Sequence, residues 1–387
     1  MNCLFCDFYS HKQNNTFNPP TEKTYFISLE DYNSYMKQKN INNKEISNVM
    51  ELFPNDKDNN MFIKEDKNRK TSITNGRGAL HRKVIFISKD YHNIKYPNLS
   101  ISCYSLKNPS NLKNEIILLR IRNKCFDIIN NKYKKNKSRL NISKETQEDS
   151  NGKIKNVNLN NSIGNDNFSV DSESIEKTKI TLLISHSNNT DLGEIFPKLC
   201  DFATILKCDV ISYDYSGYGC SNCKTNYQSL KNDLITVLNF ISNTLEIKNE
   251  NIILLSFNIG AIPSIYAASI SKYCSIRGMI LVSPLLDFVK KFKYDCINEV
   301  ICPVFIIQGD YEENFIENEI KVLSKKFQES IHWIPKNVKN YQEIMDENIK
   351  KFYYKIRKFL KHVQTTRFKI TQSLADSTNS NILKTIK

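Results

Sequence analysis

Between residues 178 and 360 short apolar runs alternate with amphipathic helical stretches, and this constrains the fold more than any other feature of the chain. Lys179–Ile184, Asp209–Tyr213, Ile252–Leu255, Gly278–Val282, Val304–Ile307 and Ile331–Ile334 each read as a short strand. Runs without polar alternation suit strands buried on both faces, as in a parallel sheet. Between them, Asp191–Leu206, Asn226–Leu245, Ala261–Ser271 and Glu317–Phe327 read as helices, and Tyr341–Leu360 as a terminal helix. Strand–helix alternation implies right-handed crossovers and helices on both faces of a mainly parallel sheet.

Residues 250–271 carry the sharpest local signal. A strand meets the turn Ser256-Phe257-Asn258-Ile259-Gly260, and a helix starts at once. A strand that turns abruptly into a helix exposes the side chain at its tip, which is why nucleophiles are held there in the spacing G-x-S-x-G. Here the tip is Asn258 and the first glycine position is Ser256.

The rest of the chain is more polar. Its 387 residues suffice for a sizeable core, yet mean hydropathy is only −0.47, so a globular body should carry polar inserts. Residues 1–20 hold Cys3 and Cys6 among apolar neighbours and read as an anchor segment. Asn2 excludes N-myristoylation, but two S-acylated cysteines beside basic charge would hold a membrane, the alternative being two plain thiols. Residues 21–80 read as a low-complexity linker. A globular domain is expected over 81–362, starting with strands at Lys83–Ser88 and Leu99–Tyr104, with Ile116–Ile121 a third strand or an extension. An insert is expected at about 129–177, and a polar tail over 363–387.

The net charge of +14 follows from lysines spread along the chain, or it favours an anionic surface. A membrane leaflet fits better than nucleic acid, because no nucleic-acid motif accompanies the charge. Eleven cysteines in a long chain without a recognisable secretory signal suit a reducing compartment. Cys220-Ser221-Asn222-Cys223 lacks the context of a redox motif and the further ligands of a zinc site, so no metal or cofactor is expected.

Four motifs carry a resemblance. Tyr213-Asp214-Tyr215-Ser216-Gly217-Tyr218-Gly219-Cys220-Ser221 matches YDYSGYG-x-S at every fixed position. Ser185-His186-Ser187-Asn188-Asn189-Thr190-Asp191-Leu192-Gly193 is close to SHGNAVDLG. Asn251-Ile252-Ile253-Leu254 leads into the turn, and Ser283-Pro284-Leu285 follows the next strand. With these, and with Phe17-Asn18-Pro19-Pro20 near the start, the chain resembles the α/β-hydrolase-domain protein depalmitoylases, membrane-anchored serine hydrolases of protein S-palmitoyl groups. The resemblance implies an α/β-hydrolase fold. Too few residues separate Pro284 from the strand near 300 for a large cap domain.

The resemblance also implies a catalytic triad, whose positions fall on Asn258, Glu312 and Lys339. A carboxamide offers no proton whose removal makes a competent nucleophile, and a protonated lysine is a poor general base. Glu312 is a conservative acid. The oxyanion hole would use the backbone N–H of Ile259 and the loop at Ser187-Asn188, where Ser187 replaces a glycine and forgoes its freedom at positive φ. Ser256, as a displaced nucleophile, and His332, as a displaced base, both read better as structural strand residues. Losing the serine or histidine of a triad costs about 10⁶ in kcat. The expectation is therefore a membrane-associated, catalytically inactive hydrolase-fold protein on the cytoplasmic leaflet. It would bind S-acylated or other protein partners and no nucleic acid. The alternative is an active thioesterase with a non-standard constellation.

Overall fold

A computed structural model describes residues 17, 19–20, 24–27, 34, 37, 49–52, 79–82, 84–87, 98–108, 111–125, 179–285, 295–311, 317–346 and 348–365. Its centre is a nine-stranded sheet in the order β12-β11-β10-β9-β7-β8-β6-β5-β3. These strands are β3 (Ala79–Arg82), β5 (Leu99–Asn108), β6 (Asn111–Asn123), β7 (Thr181–Ser185), β8 (Asp209–Tyr213), β9 (Ile252–Phe257), β10 (Gly278–Val282), β11 (Val304–Ile307) and β12 (Ser330–Trp333). From β8 to β12 all neighbours are parallel, whereas β6, β5 and β3 join antiparallel. The expected strands from residue 179 onward are all present.

The apolar runs are buried as their composition requires: every residue of β7 to β11 is buried. Successive side chains point to opposite faces. Leu183, Ile211, Leu254 and Leu281 therefore enter one core with helices 227–243 and 261–269. Leu182, Val210, Ile253 and Ile280 enter a second core with helices 192–206 and 349–365. Asp191 caps the first of these helices, accepting a hydrogen bond from Glu194 N at 3.0 Å. Asn226 and Ser229 form a reciprocal capping box on helix 227–243.

The strand order decides where a site can form. The chain steps from β7 outward to β8, then returns to the other side of β7 as β9. Loops leaving β7 and β8 diverge from those leaving β9, and a crevice opens at the carboxyl ends of the strands. The loop at Ser187-Asn188 and the turn at Asn258 both lie there.

Two expectations need correction. The segment 21–80 is not plain linker: β1 (Tyr25–Phe26) and β2 (Val49–Leu52) lie in it, and β3 begins in it. β1 and β2 pair antiparallel with β4 (Val84–Ile87) in a separate three-stranded sheet, so the strand expected at Lys83–Ser88 forms outside the main sheet. A two-residue strand has no periodicity of its own, and its partner lies some sixty positions away in sequence, so local composition could not reveal it. The terminal helix is also not one unit: helix Tyr341–Asp346 is followed by a second from 349 to 365. That helix overruns the expected boundary at 362, because Val363 is buried against Gly278. Cys3, Cys6, the insert at 129–177 and most of the 363–387 tail lie outside the described residues.

Candidate functional site

The turn after β9 has the geometry of a nucleophile elbow. Asn258 lies at φ +50°, in the left-handed region that asparagine tolerates better than most residues. A short 3₁₀ turn, Asn258–Gly260, then enters the helix. Glycine is required at 260: a Cβ there would lie 2.4 Å from the carbonyl oxygen of Ser185 in the neighbouring strand. The elbow is thus intact as backbone, with a half-exposed carboxamide at its tip.

Ser256 is not a displaced nucleophile. It is the fifth residue of β9, fully buried, and its hydroxyl donates to Ser264 Oγ at 2.6 Å. The pair ties the strand to the helix that follows it. His332 lies on the edge strand β12, opposite Ile306, with its side chain in solvent.

The acid and base loops run on from the parallel β11–β12 pair. Asp310 N–H donates to Pro335 O at 3.2 Å, and Tyr311 N–H to Val338 O at 2.9 Å. Asp310 Oδ1 accepts from Val338 N at 3.2 Å, and Oδ2 lies 3.6 Å from Lys336 Nζ. Residues 309–311 and 335–338 are thereby held side by side. Glu312, the next residue, lies outside the described residues. Lys339 is exposed, with its backbone N–H on Glu343 Oε2 at 2.7 Å. Tyr341, two residues on, packs its ring 5.8 Å from that of Phe257, which precedes the elbow. This brings the loop that carries Lys339 against the segment that carries Asn258.

The remaining wall is a buried polar network, and it explains the tyrosine-rich motif after β8. The Tyr215 hydroxyl donates to His186 O at 2.6 Å, and that of Tyr218 to Asn188 Oδ1 at 2.5 Å. Tyr213 shares a hydrogen bond with Ser185 at 3.0 Å. The His186 ring lies 4.4 Å from that of Tyr215, and its Nε2 is 3.2 Å from Asp214 Oδ1, close but poorly aligned for a hydrogen bond. Asp214 also accepts from Leu192 N at 3.0 Å and from the Tyr25 hydroxyl. Burial pushes its carboxyl upward, against the opposing pull of His186. Gly219 is needed here, since a Cβ would overlap Asp214 Oδ2. Tyr213, Asp214, Tyr215 and Tyr218 thus brace the loop that would supply one oxyanion donor, whereas Ser216 is bonded to Asp233 and Ser221 to Ile117 N. Positive φ falls on Asn189 (+59°) rather than on Ser187, so serine at 187 carries no backbone penalty. Ile259, whose N–H would be the other donor, is buried.

A cleft of about 80 Å³ opens beside this wall, lined by Ile184, Phe202, Phe257, Tyr341 and Met345, with Lys198 among its polar residues. The Ser187 and Tyr341 hydroxyls meet within it at 2.5 Å. Pockets for drug-sized ligands start at roughly 300 Å³, so this space is too small for a long acyl chain. Tyr341 and Tyr25 are the site-forming residues that sequence reasoning missed. The place of Tyr341, just after the expected base, was the available signal.

Strand order, elbow and loops together define an α/β-hydrolase-fold protein. Its amino-acid sequence is similar to curated alpha/beta hydrolase domain-containing proteins. It is 33% identical over 150 residues to protein 17C of Xenopus laevis, covering 35% of this chain and 47% of that one. It is 33% identical over 149 residues to protein 17B of Homo sapiens, covering 35% and 51%. It is 25% identical over 223 residues to aho-3 of Caenorhabditis elegans, covering 54% and 65%. The chain thus spans about half to two thirds of the length of these relatives. No family model matches it. Among solved structures, the Pyrococcus furiosus esterase Pf2001 superposes with a TM-score of 0.48 and 13% identity, over 70% of this chain and 95% of that one.

Among the described residues no group of side chains could hold a metal ion, and Cys220 and Cys223 are not bridged. Cys220 Sγ instead contacts Tyr25 O at 3.3 Å. No described helix is long and apolar enough to cross a membrane.

Proposed function

We propose that this protein uses a hydrolase scaffold for binding rather than turnover. It would associate with the cytoplasmic leaflet through acylated Cys3 and Cys6 and engage S-acylated or other protein partners at the crevice around Asn258. The single observation that carries this reading is Asn258 itself. It occupies the left-handed tip where the fold presents its nucleophile, and a carboxamide cannot form an acyl-enzyme there. The exposed Lys339 supports it, since the position that would carry the base histidine holds no imidazole.

Turnover of short-chain thioesters and esters by the full chain, beside an Asn258→Ser/Lys339→His double variant, tests the reading. Background rates for the wild type and a gain in the double variant support it. Wild-type turnover well above background overturns it in favour of an active thioesterase. Thioester-sensitive labelling by a palmitate analogue, lost on Cys3→Ser/Cys6→Ser, tests the tether separately.

A further inference from the structure

Helix 349–365 buries one face and leaves a basic one. Phe352, Ile356, Phe359, Leu360 and Val363 enter the second core. Lys350, Lys351, Arg357, Lys358 and Lys361 are exposed, Lys355 is half-exposed, and the helix contains no Asp or Glu. Positions 350, 354, 358 and 361 fall on one stripe at helical spacing. Tyr354 lies in its middle with 61% of its surface exposed. The helix flanks edge strand β12, where Ile331 is 48% exposed and Trp333 lies beneath the ammonium groups of Lys351 and Lys355, at 5.6 and 6.0 Å. On the other side of β12, helix Glu317–Lys326 adds exposed Lys321, Val322 and Lys325. One edge of the sheet thus combines clustered positive charge with exposed Ile, Val and Tyr side chains.

We infer that this edge is a docking surface for an anionic membrane leaflet, with helix 349–365 lying along the headgroups. The charge calls for an anionic partner. A second copy of the chain would bring a like net charge of +14 against this surface. Nucleic acid would suit a groove lined with stacking aromatics, whereas here Trp333 is covered by lysines and the exposed residues are mainly aliphatic. Exposed aliphatic and tyrosine side chains between lysines suit the boundary of headgroup and acyl chain. The inference rests on the membrane part of the proposed function but not on acylation. It supplies the second signal that a reversible lipid anchor needs.

The test uses the full chain carrying Cys3→Ser and Cys6→Ser, so that no lipid anchor contributes. Sedimentation with phosphatidylcholine vesicles, with and without phosphatidylserine, reads the binding. Preferential binding to the phosphatidylserine vesicles is expected. Lys350→Gln/Lys358→Gln/Lys361→Gln should lower the partition coefficient by about a hundredfold, because each basic residue near the surface contributes roughly one decade or slightly less. A control with Lys224→Gln/Lys248→Gln/Lys272→Gln removes the same charge elsewhere and should bind nearly as the parent does. Equal loss in both variants would show diffuse attraction and overturn the assignment. So would equal binding to both vesicle types, or tighter binding to an RNA or DNA oligonucleotide at the same salt. Failure here leaves the acyl tether standing, whereas failure of the palmitate labelling leaves this surface standing.

Discussion

Tyr25 and Asp214, 189 positions apart in the chain, meet in the protein interior, where the phenol donates a hydrogen bond to the carboxylate. The backbone N–H of Cys220 donates to the same phenolic oxygen at 3.2 Å, and Thr24 donates to Asp191 with both its backbone and its hydroxyl. The N-terminal segment is thereby fastened across the two loops that form one wall of the crevice. Tyr25→Phe removes the donor and leaves buried acceptor and donor groups without their partner. It should lower stability by about 1–3 kcal/mol, read from the urea midpoint. An unchanged midpoint would show that the strap is not part of the folded body.

Asp233 should make stability depend on pH. It is buried, accepts from Ser216 N and Ser216 Oγ at 2.8 Å each, and burial pushes its carboxyl up to about 7 from 3.8. Because the folded value lies above the unfolded one, the folded protein holds this proton more tightly. The contribution is complete below about pH 4 and is lost as pH rises towards 7, by up to about 4 kcal/mol. Asp233→Asn mimics the protonated side chain. The stability difference between variant and wild type should therefore shift in favour of the variant between pH 4 and pH 7.5. Parallel unfolding curves across that range would contradict this.

Asn258 has a conformational role that can be separated from its chemistry. At φ +50° a β-branched residue is strained, so Asn258→Val should lose about 1–2 kcal/mol while Asn258→Gly stays near wild type. Thermal unfolding of the two variants gives the comparison. A stable valine variant would mean that the turn relaxes.

Gly260→Ala should be more damaging than any substitution at 258. Its Cβ would meet Ser185 O at 2.4 Å and Ser185 Cβ at 2.8 Å, and backbone on both sides must move. A loss of about 3 kcal/mol or failure to fold is expected, at or above the usual cost of overpacking. A small loss in Tm would show that β7 and β9 can spread apart.

Ser256→Ala should change stability by about 1 kcal/mol through the lost bond to Ser264, and leave labelling by a serine-directed fluorophosphonate unchanged at background. Labelling of the wild type that disappears in Ser256→Ala would identify Ser256 as a nucleophile and overturn the binding reading.

The apolar runs from Thr181 to Ile307 were legible as buried parallel strands, because burial on both faces leaves only one kind of pattern. The elbow was legible because a small residue is required where Gly260 touches Ser185. Tyr25 was not, because its place depends on Asp214 and Cys220, which no local pattern near residue 25 announces. The turn at Asn348 was hidden too, since residues 341–360 keep a helical apolar spacing throughout.

The sequence by itself determined the layered architecture and which residues stand at the positions that the resemblance marks as catalytic. Both depend on short-range periodicity and on which side chain stands in a motif. Only the tertiary structure decided that the N-terminal segment braces the crevice, that Ser256 is buried against Ser264, and that the lysines of the last helix share an edge with Ile331 and Trp333. Those facts arise from contacts between residues distant in the chain, whose free energy appears only when the sheet has brought them together.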